Sequence, residues 1–311
     1  MTMSGVHNAD EASNVNEHPD TSRPSGSQFL GSEVLSSGAV AAWWRSPWIP
    51  GGLTLDIDGA EQSTVFPDDQ SRLLYDYLQW MQAALQLWTP RGAGTARGTG
   101  ESDRAGTSQG TAFRAGTYIH LGGGGLSLPR ALAVAEPAST HIVVDLDPDL
   151  IDTVLAKVPF PGTNAPHVIA GDVRDALPRA VEVAGVADAL VLDISIEPDS
   201  PARLFDPGFM TEMFDAVVPG GLVLINIGDE PGLEATRRMA DSLKAAGASY
   251  FVAADSSMFS LTMPGNVVLG ARRSPAPFTA EELAALHAAG PRPGTVLSPG
   301  ELAAVFAGQA Q

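Results

Sequence analysis

The feature that most limits the fold is the stretch from Tyr118 to Arg272, where short apolar runs alternate with amphipathic ones. YIHLG, HIVVDL, HVIAGD, ADALVLDI and GGLVLINI read as strands, being short, aliphatic and bounded by turn residues. LPRALAVA, PDLIDTVLAKV, VRDALPRAVEVA, PGFMTEMFDAV and EATRRMADSLKAA separate or follow them with helical spacing, Pro148 standing in a first turn and Pro178 inside its helix. Strands that are apolar along their whole length need cover on both faces, and a helix between successive strands makes them parallel. SYFVAA and NVVLGAR have no helix between them and predict an antiparallel hairpin at the sheet edge. The expectation is an α/β fold with a Rossmann-like sheet of seven strands over residues 118–273.

The flanks read differently. Residues 1–36 are rich in Ser, Asn, Asp, Glu and Pro without apolar periodicity and predict a disordered tail. Residues 37–88 predict a small β unit and a helix. LTLDID and QSTVF are its strands, joined at Asp58-Gly59 by a loop longer than two residues. SRLLYDYLQWMQAALQLW (71–88) is the helix, with Leu74, Leu78, Met81 and Leu85 in register. Residues 89–117 are dominated by Gly, Thr, Ser and Arg and read as a flexible surface insertion. Residues 274–311 predict a helical extension, with Thr279/Glu282 and Ser298/Glu301 at capping-box spacing.

Several functions are disfavoured. A net charge of −18 repels phosphate backbones, so no nucleic-acid partner is expected. The absence of cysteine removes disulfides, thiolate zinc sites and a cysteine nucleophile. The six histidines show no ligand spacing, so no metal is expected, and His120 and His141 read as structural strand residues. No apolar run reaches the ~20 residues of a membrane span, and the polar start lacks a signal-peptide pattern; a cytoplasmic protein with no membrane partner is expected.

Four motifs carry chemistry. LGGGGLSLPR places Gly122, Gly123 and Gly124 between a strand and a helix, where a backbone without Cβ can turn tightly and approach a ligand. The alternative reading is a close strand-to-helix crossing. In VVDLDP, Asp145 ends the next strand about 20 residues on, a spacing at which an acid meets a ribose; Leu146 follows it, and Asp147 reads as a helix N-cap. In AGDVRDAL, Asp172 can meet an exocyclic amine or cap the helix that Val173 begins. In VLDISIEP, Asp193 ends the fourth strand. Ligands of open α/β sheets bind beyond the carboxyl ends of the strands, so these acids should line one crevice. GGGGLS departs from G-x-G-x-x-G, and the terminal hairpin suits a methyltransferase-type sheet, which favours an adenosyl ligand over a dinucleotide.

With these motifs, the chain from about Leu53 to Arg272 resembles the spermidine synthase (aminopropyltransferase) family. DGAEQSTVFPDDQSRLLYDYLQWM is similar to the family's N-terminal strands and helix, which implies that Gln62 and Tyr75 face the acceptor, with Asp76 where a glutamine is usual. VVDLDP resembles E-I-D-P, implying that Asp145 holds the ribose, with Leu146 beside it in the cofactor site. GDVRDAL implies that Asp172 and Val173 meet the adenine. Asp193 matches the family's catalytic aspartate. Two positions depart: Gly125 stands where the family has the Asp of G-G-G-D-G-G, and Ile196 or Glu197 where it has the second Asp of D-S-S-D-P. The resemblance implies S-adenosylmethionine or its decarboxylated form as donor, a small-molecule amine as acceptor, and a homodimer. Methyl transfer and a non-catalytic nucleoside-binding homologue stay open beside aminopropyl transfer.

Overall fold

The computed structural model describes residues 24–89, 115–194, 202–274 and 276–308. Most of the expected 89–117 insertion and all of residues 1–23 lie outside that set.

Four antiparallel strands form the N-terminal sheet in the order β1-β2-β3-β4, being β1 Gln28–Val34, β2 Val40–Arg45, β3 Leu53–Ile57 and β4 Ala60–Val65. β1 falls inside the stretch expected to be irregular. It is an edge strand whose side chains are mostly exposed, so backbone pairing with β2 holds it and no apolar alternation announces it. Its Phe29 ring rests 4.9 Å from Trp44, and Glu33 accepts the Thr153 hydroxyl at 3.0 Å. The β3–β4 loop is Asp58-Gly59 alone, because Ile57 pairs with Ala60. Both loop residues have positive φ, 50° and 84°, as a two-residue hairpin turn needs. The longer loop expected there reflected the polar, exposed start of β4.

The larger sheet has eight strands in the order β12-β10-β11-β9-β8-β5-β6-β7. They are β5 Thr117–Leu121, β6 Thr140–Asp145, β7 His167–Ala170, β8 Ala187–Leu192, β9 Val217–Asp229, β10 Ser249–Ala254, β11 Gly265–Arg272 and β12 Thr295–Leu297. The strands from β7 to β9 are parallel; β11, β10 and β12 are antiparallel to their neighbours. The seven expected strands are thus joined by an eighth. β12, three residues between the two C-terminal helices, pairs with β10, so the β10–β11 hairpin is not the edge. A three-residue strand carries too few side chains to show a period.

Helices cover both faces. α1 Asp76–Trp88 and α2 Ser127–Ala135 bury Leu78, Trp80, Met81, Leu85, Leu128 and Leu132 against Val191, Leu224 and Phe251 of the sheet. On the other face α4 Val173–Ala184, α5 Pro207–Asp215 and α6 Glu234–Ala245 bury Leu177, Met213 and Leu243 against Ile119, Leu121, Val144 and Leu190. Each such side chain contributes about 1.5–3 kcal/mol by leaving water. α3 Pro148–Lys157 packs Ile151 and Val154 against Leu53, Leu55 and Val65, which seats the small sheet over the carboxyl ends of β5 and β6. The C-terminal helices α7 Ala280–Ala289 and α8 Pro299–Ala307 both carry the expected capping boxes. Among the described residues no helix is long and apolar enough to cross a membrane.

Candidate active site

β5 has β6 on one side and β8 on the other, so the chain leaves β5 where strand order reverses. A cleft of about 640 Å³ opens there. That volume lies within the ordinary range for small-molecule sites.

At one end stands the glycine turn. Gly122 has φ +103°, and a Cβ on it would lie 2.1 Å from the Asp193 carbonyl oxygen. The close approach at Gly122 comes from the chain beyond β8, which passes directly over it, and not from a helix. A Cβ on Gly123 would sit 2.4 Å from Ile151 Cδ1, so this glycine lets α3 approach. Gly124 has φ +47° and open space where a side chain would be. The Gly123 N–H donates to Asp145 Oδ2 at 2.8 Å, and the Asp147 N–H donates to Asp145 Oδ1 at 2.9 Å. Each oxygen is fixed by one backbone donor and keeps a lone pair for a ligand hydroxyl. Leu146, 75% exposed, lines the cleft beside it, as does buried Val173.

Asp172 lines the cleft with both oxygens engaged. Oδ1 caps α4 by accepting the Arg174 N–H at 3.1 Å, and Oδ2 pairs with Arg203 at 2.7 Å. The cap reading of Asp172 therefore describes its contacts. Asp147 occupies the N-cap position of α3, but its side chain accepts the Ser37 hydroxyl and caps nothing.

At the other end is Asp193, just past β8. Asn226 on β9 donates to its Oδ1 at 3.1 Å, and the Tyr77 hydroxyl donates to Oδ2 at 3.5 Å. Burial pushes the Asp193 carboxyl up to about 6, while the Asn226 and Tyr77 hydrogen bonds pull it back. Tyr77 itself is raised well above an ordinary phenol by burial and the adjacent carboxylate. Asn226 also donates to Asn266 Oδ1 at 3.2 Å. Opposite them Tyr75, the N-cap residue of α1, donates to Glu61 Oε1 at 2.6 Å, and the Tyr75 and Tyr77 rings lie 6.0 Å apart.

The cleft brings together Gly122, Gly123, Gly124, Asp145, Leu146, Asp172, Val173, Asp193, Gln62 and Tyr75. Asp76 is not among its lining residues; it is exposed on the first turn of α1, and the next residue, Tyr77, lines the cleft instead. The helix expected from residue 71 begins at 76, which shifts the face presented. Glu61, Tyr77, Asn226 and Asn266 escaped the sequence reading. Asn226, inside the apolar run GGLVLINI, was the one visible signal, a polar residue where only core was expected. Ser195, Ile196 and Glu197 lie outside the described residues. At Gly125 a Cβ would lie 2.6 Å from Ser63 Oγ, and Ser63 is paired with Ser127 at 2.8 Å. A carboxylate at 125 would need β4 to move. Among the described residues no cluster of metal-ligating side chains occurs.

No protein-family model matches the sequence, and comparison with curated proteins gives no match. Among solved structures, a probable spermidine synthase from Corynebacterium glutamicum superposes with a TM-score of 0.69 at 18% identity, over 90% of this chain and 94% of that one. The chain has the spermidine synthase-like fold. Spermidine synthase from Thermotoga maritima superposes with a TM-score of 0.52 at 9% identity, over 90% of this chain and 88% of that one. At these identities the likeness speaks to architecture alone.

Proposed function

We propose that this chain is a transferase that binds an adenosyl sulfonium donor, decarboxylated S-adenosylmethionine, and transfers its aminopropyl group to an amine, with methylthioadenosine leaving. The observation that carries the reading is Asp193: a half-buried carboxyl that accepts from Tyr77 and Asn226 and shares one cleft with the glycine turn and Asp145. The bound donor supplies an electrophilic carbon beside its sulfonium. Asp145, with two lone pairs held in place by the Gly123 and Asp147 N–H groups, fits the two ribose hydroxyls. Asp193 is mostly ionised at pH 7 and accepts a hydrogen bond from the attacking amine. As the N–C bond forms and the C–S bond breaks, the amine proton passes to Asp193 and from there to solvent. Tyr77 and Asn226 hold the carboxylate in place, and the ring of Tyr75 with Gln62 borders the acceptor's path.

Methyl transfer is the second reading, favoured by Gly125. With Ser63 against it, that position offers no anion to grip a donor's amine tail. One experiment separates the readings. Purified full chain is incubated with each donor and a panel of di- and polyamines, and products are read by mass spectrometry. Methylthioadenosine with an aminopropylated amine, formed from the decarboxylated donor, supports aminopropyl transfer; adenosylhomocysteine from S-adenosylmethionine supports methyl transfer. Neither product, with nucleoside binding retained, means a non-catalytic homologue.

A further inference from the structure

A buried polar chain runs beneath the cleft and is not used by the chemistry above. His120 on β5 and His141 on β6 are 2% and 1% exposed. His120 Nε2 lies 3.1 Å from His141 Nδ1, His141 Nε2 lies 2.9 Å from Ser139 Oγ, and the Ser139 hydroxyl donates to the Glu136 carbonyl at 2.6 Å. The direction of every bond follows from the far end. A carbonyl only accepts, so the Ser139 hydrogen is committed to Glu136. Ser139 Oγ then accepts Nε2–H of His141. A neutral imidazole carries one N–H, so His141 Nδ1 is bare and accepts Nε2–H of His120. His120 Nδ1 is left as a lone pair. Burial keeps both rings neutral, holding His120 well below its usual range and pushing His141 down to about 4.

His120 lines the cleft together with Tyr77, Leu128, Val191 and Asp193. Among the described residues no group donates to its Nδ1. Asp193 and His120 Nδ1 are both acceptors on one cleft, so a ligand that satisfies them must bring hydrogen-bond donors, as an amine does.

We propose that His120 Nδ1 is a specificity-determining hydrogen-bond acceptor for the substrate amine, its tautomer fixed by His141 and Ser139. The proposal rests on the reading of the cleft as an amine site. Nothing in the relay requires His120 to take the proton; it selects and orients the N–H, and Asp193 remains the base.

The test uses the full chain labelled with ¹⁵N-histidine and putrescine as probe. Two variants separate contact from structure. In H120Q the amide nitrogen reaches the place of Nε2, keeping the bond to His141 and losing the cleft acceptor. In H120N the amide oxygen stands near the place of Nδ1, keeping an acceptor. The expected result is a bare Nδ1 in the free protein, a shift of that nitrogen on adding putrescine, and affinity for putrescine weakened about tenfold in H120Q. H120N should stay within about threefold of the parent. A protonated Nδ1, an Nδ1 unmoved by putrescine, or equal losses in the two variants would overturn the proposal. Failure of the transferase reading looks different: no product forms, yet Nδ1 still responds to putrescine. Conversely, turnover with an unresponsive Nδ1 removes this contact and leaves the enzyme.

Discussion

The two ends of the cleft are built by opposite means. The Asp145 end is local and made of backbone: a glycine turn, the next strand and the first turn of α3, with N–H groups holding a carboxylate. The Asp193 end is assembled from distant side chains on α1, β8, β9 and β11, and its chemistry depends on burial. On the proposed function the first end binds, and the second sets the proton affinity of Asp193 through its burial and its partners. They meet at Gly122, where the chain after β8 crosses the glycine turn.

Breaking the second end alone should have the largest effect. Asp193→Asn should lower turnover about 10³-fold, within the range for removing a general base, while nucleoside affinity measured by calorimetry stays within about twofold. Equal losses in turnover and nucleoside affinity would erase the distinction between the ends. Asp145→Ala, the converse, should weaken nucleoside binding about 100-fold, as loss of two hydrogen bonds to a charged acceptor implies.

A smaller effect sharpens the role of burial. Asp193 has a folded pKa raised from 3.8 to about 6, so its neutral form fits the fold better. Its contribution to stability is complete below pH 3.8 and is lost as pH rises through 6, leaving the ionised form a cost at pH 7 of up to about 3 kcal/mol. Asp193→Asn should therefore raise the thermal midpoint at pH 7 and leave it unchanged near pH 3.5, as measured by calorimetry. Activity runs the other way, with an acid limb in kcat near pH 6 as the base protonates. Tyr77→Phe gives the smallest change. Its hydrogen bond lowers the Asp193 pKa, so its removal should move that limb to higher pH in a pH–rate profile.

The same contrast explains what the sequence made visible. The parallel βα pattern, the glycine turn and Asp145 were legible because each is written in contiguous residues with a fixed period or spacing. Asp193 was legible as a strand end. Its partners were not: Tyr77 is one of two aromatics in DYLQW, and only the helix starting at Asp76 turns it, and not Asp76, toward the cleft. Asn226 and Asn266 meet because β9 and β11 are neighbours, a pairing that no local pattern states. β1 and β12 were hidden because edge and three-residue strands are held by backbone bonds rather than by an apolar face. The orientation of His120 likewise needs His141 and Ser139 in place before it can be derived.

On the proposed function, one cleft holds an adenosyl ligand at Asp145 and a proton acceptor at Asp193. Calorimetric titration of methylthioadenosine into the parent chain, Asp145→Ala and Asp193→Asn tests it most directly. The account predicts binding by the parent and by Asp193→Asn, and a roughly 100-fold loss in Asp145→Ala. No binding by the parent, or a parent-like affinity in Asp145→Ala, would contradict it.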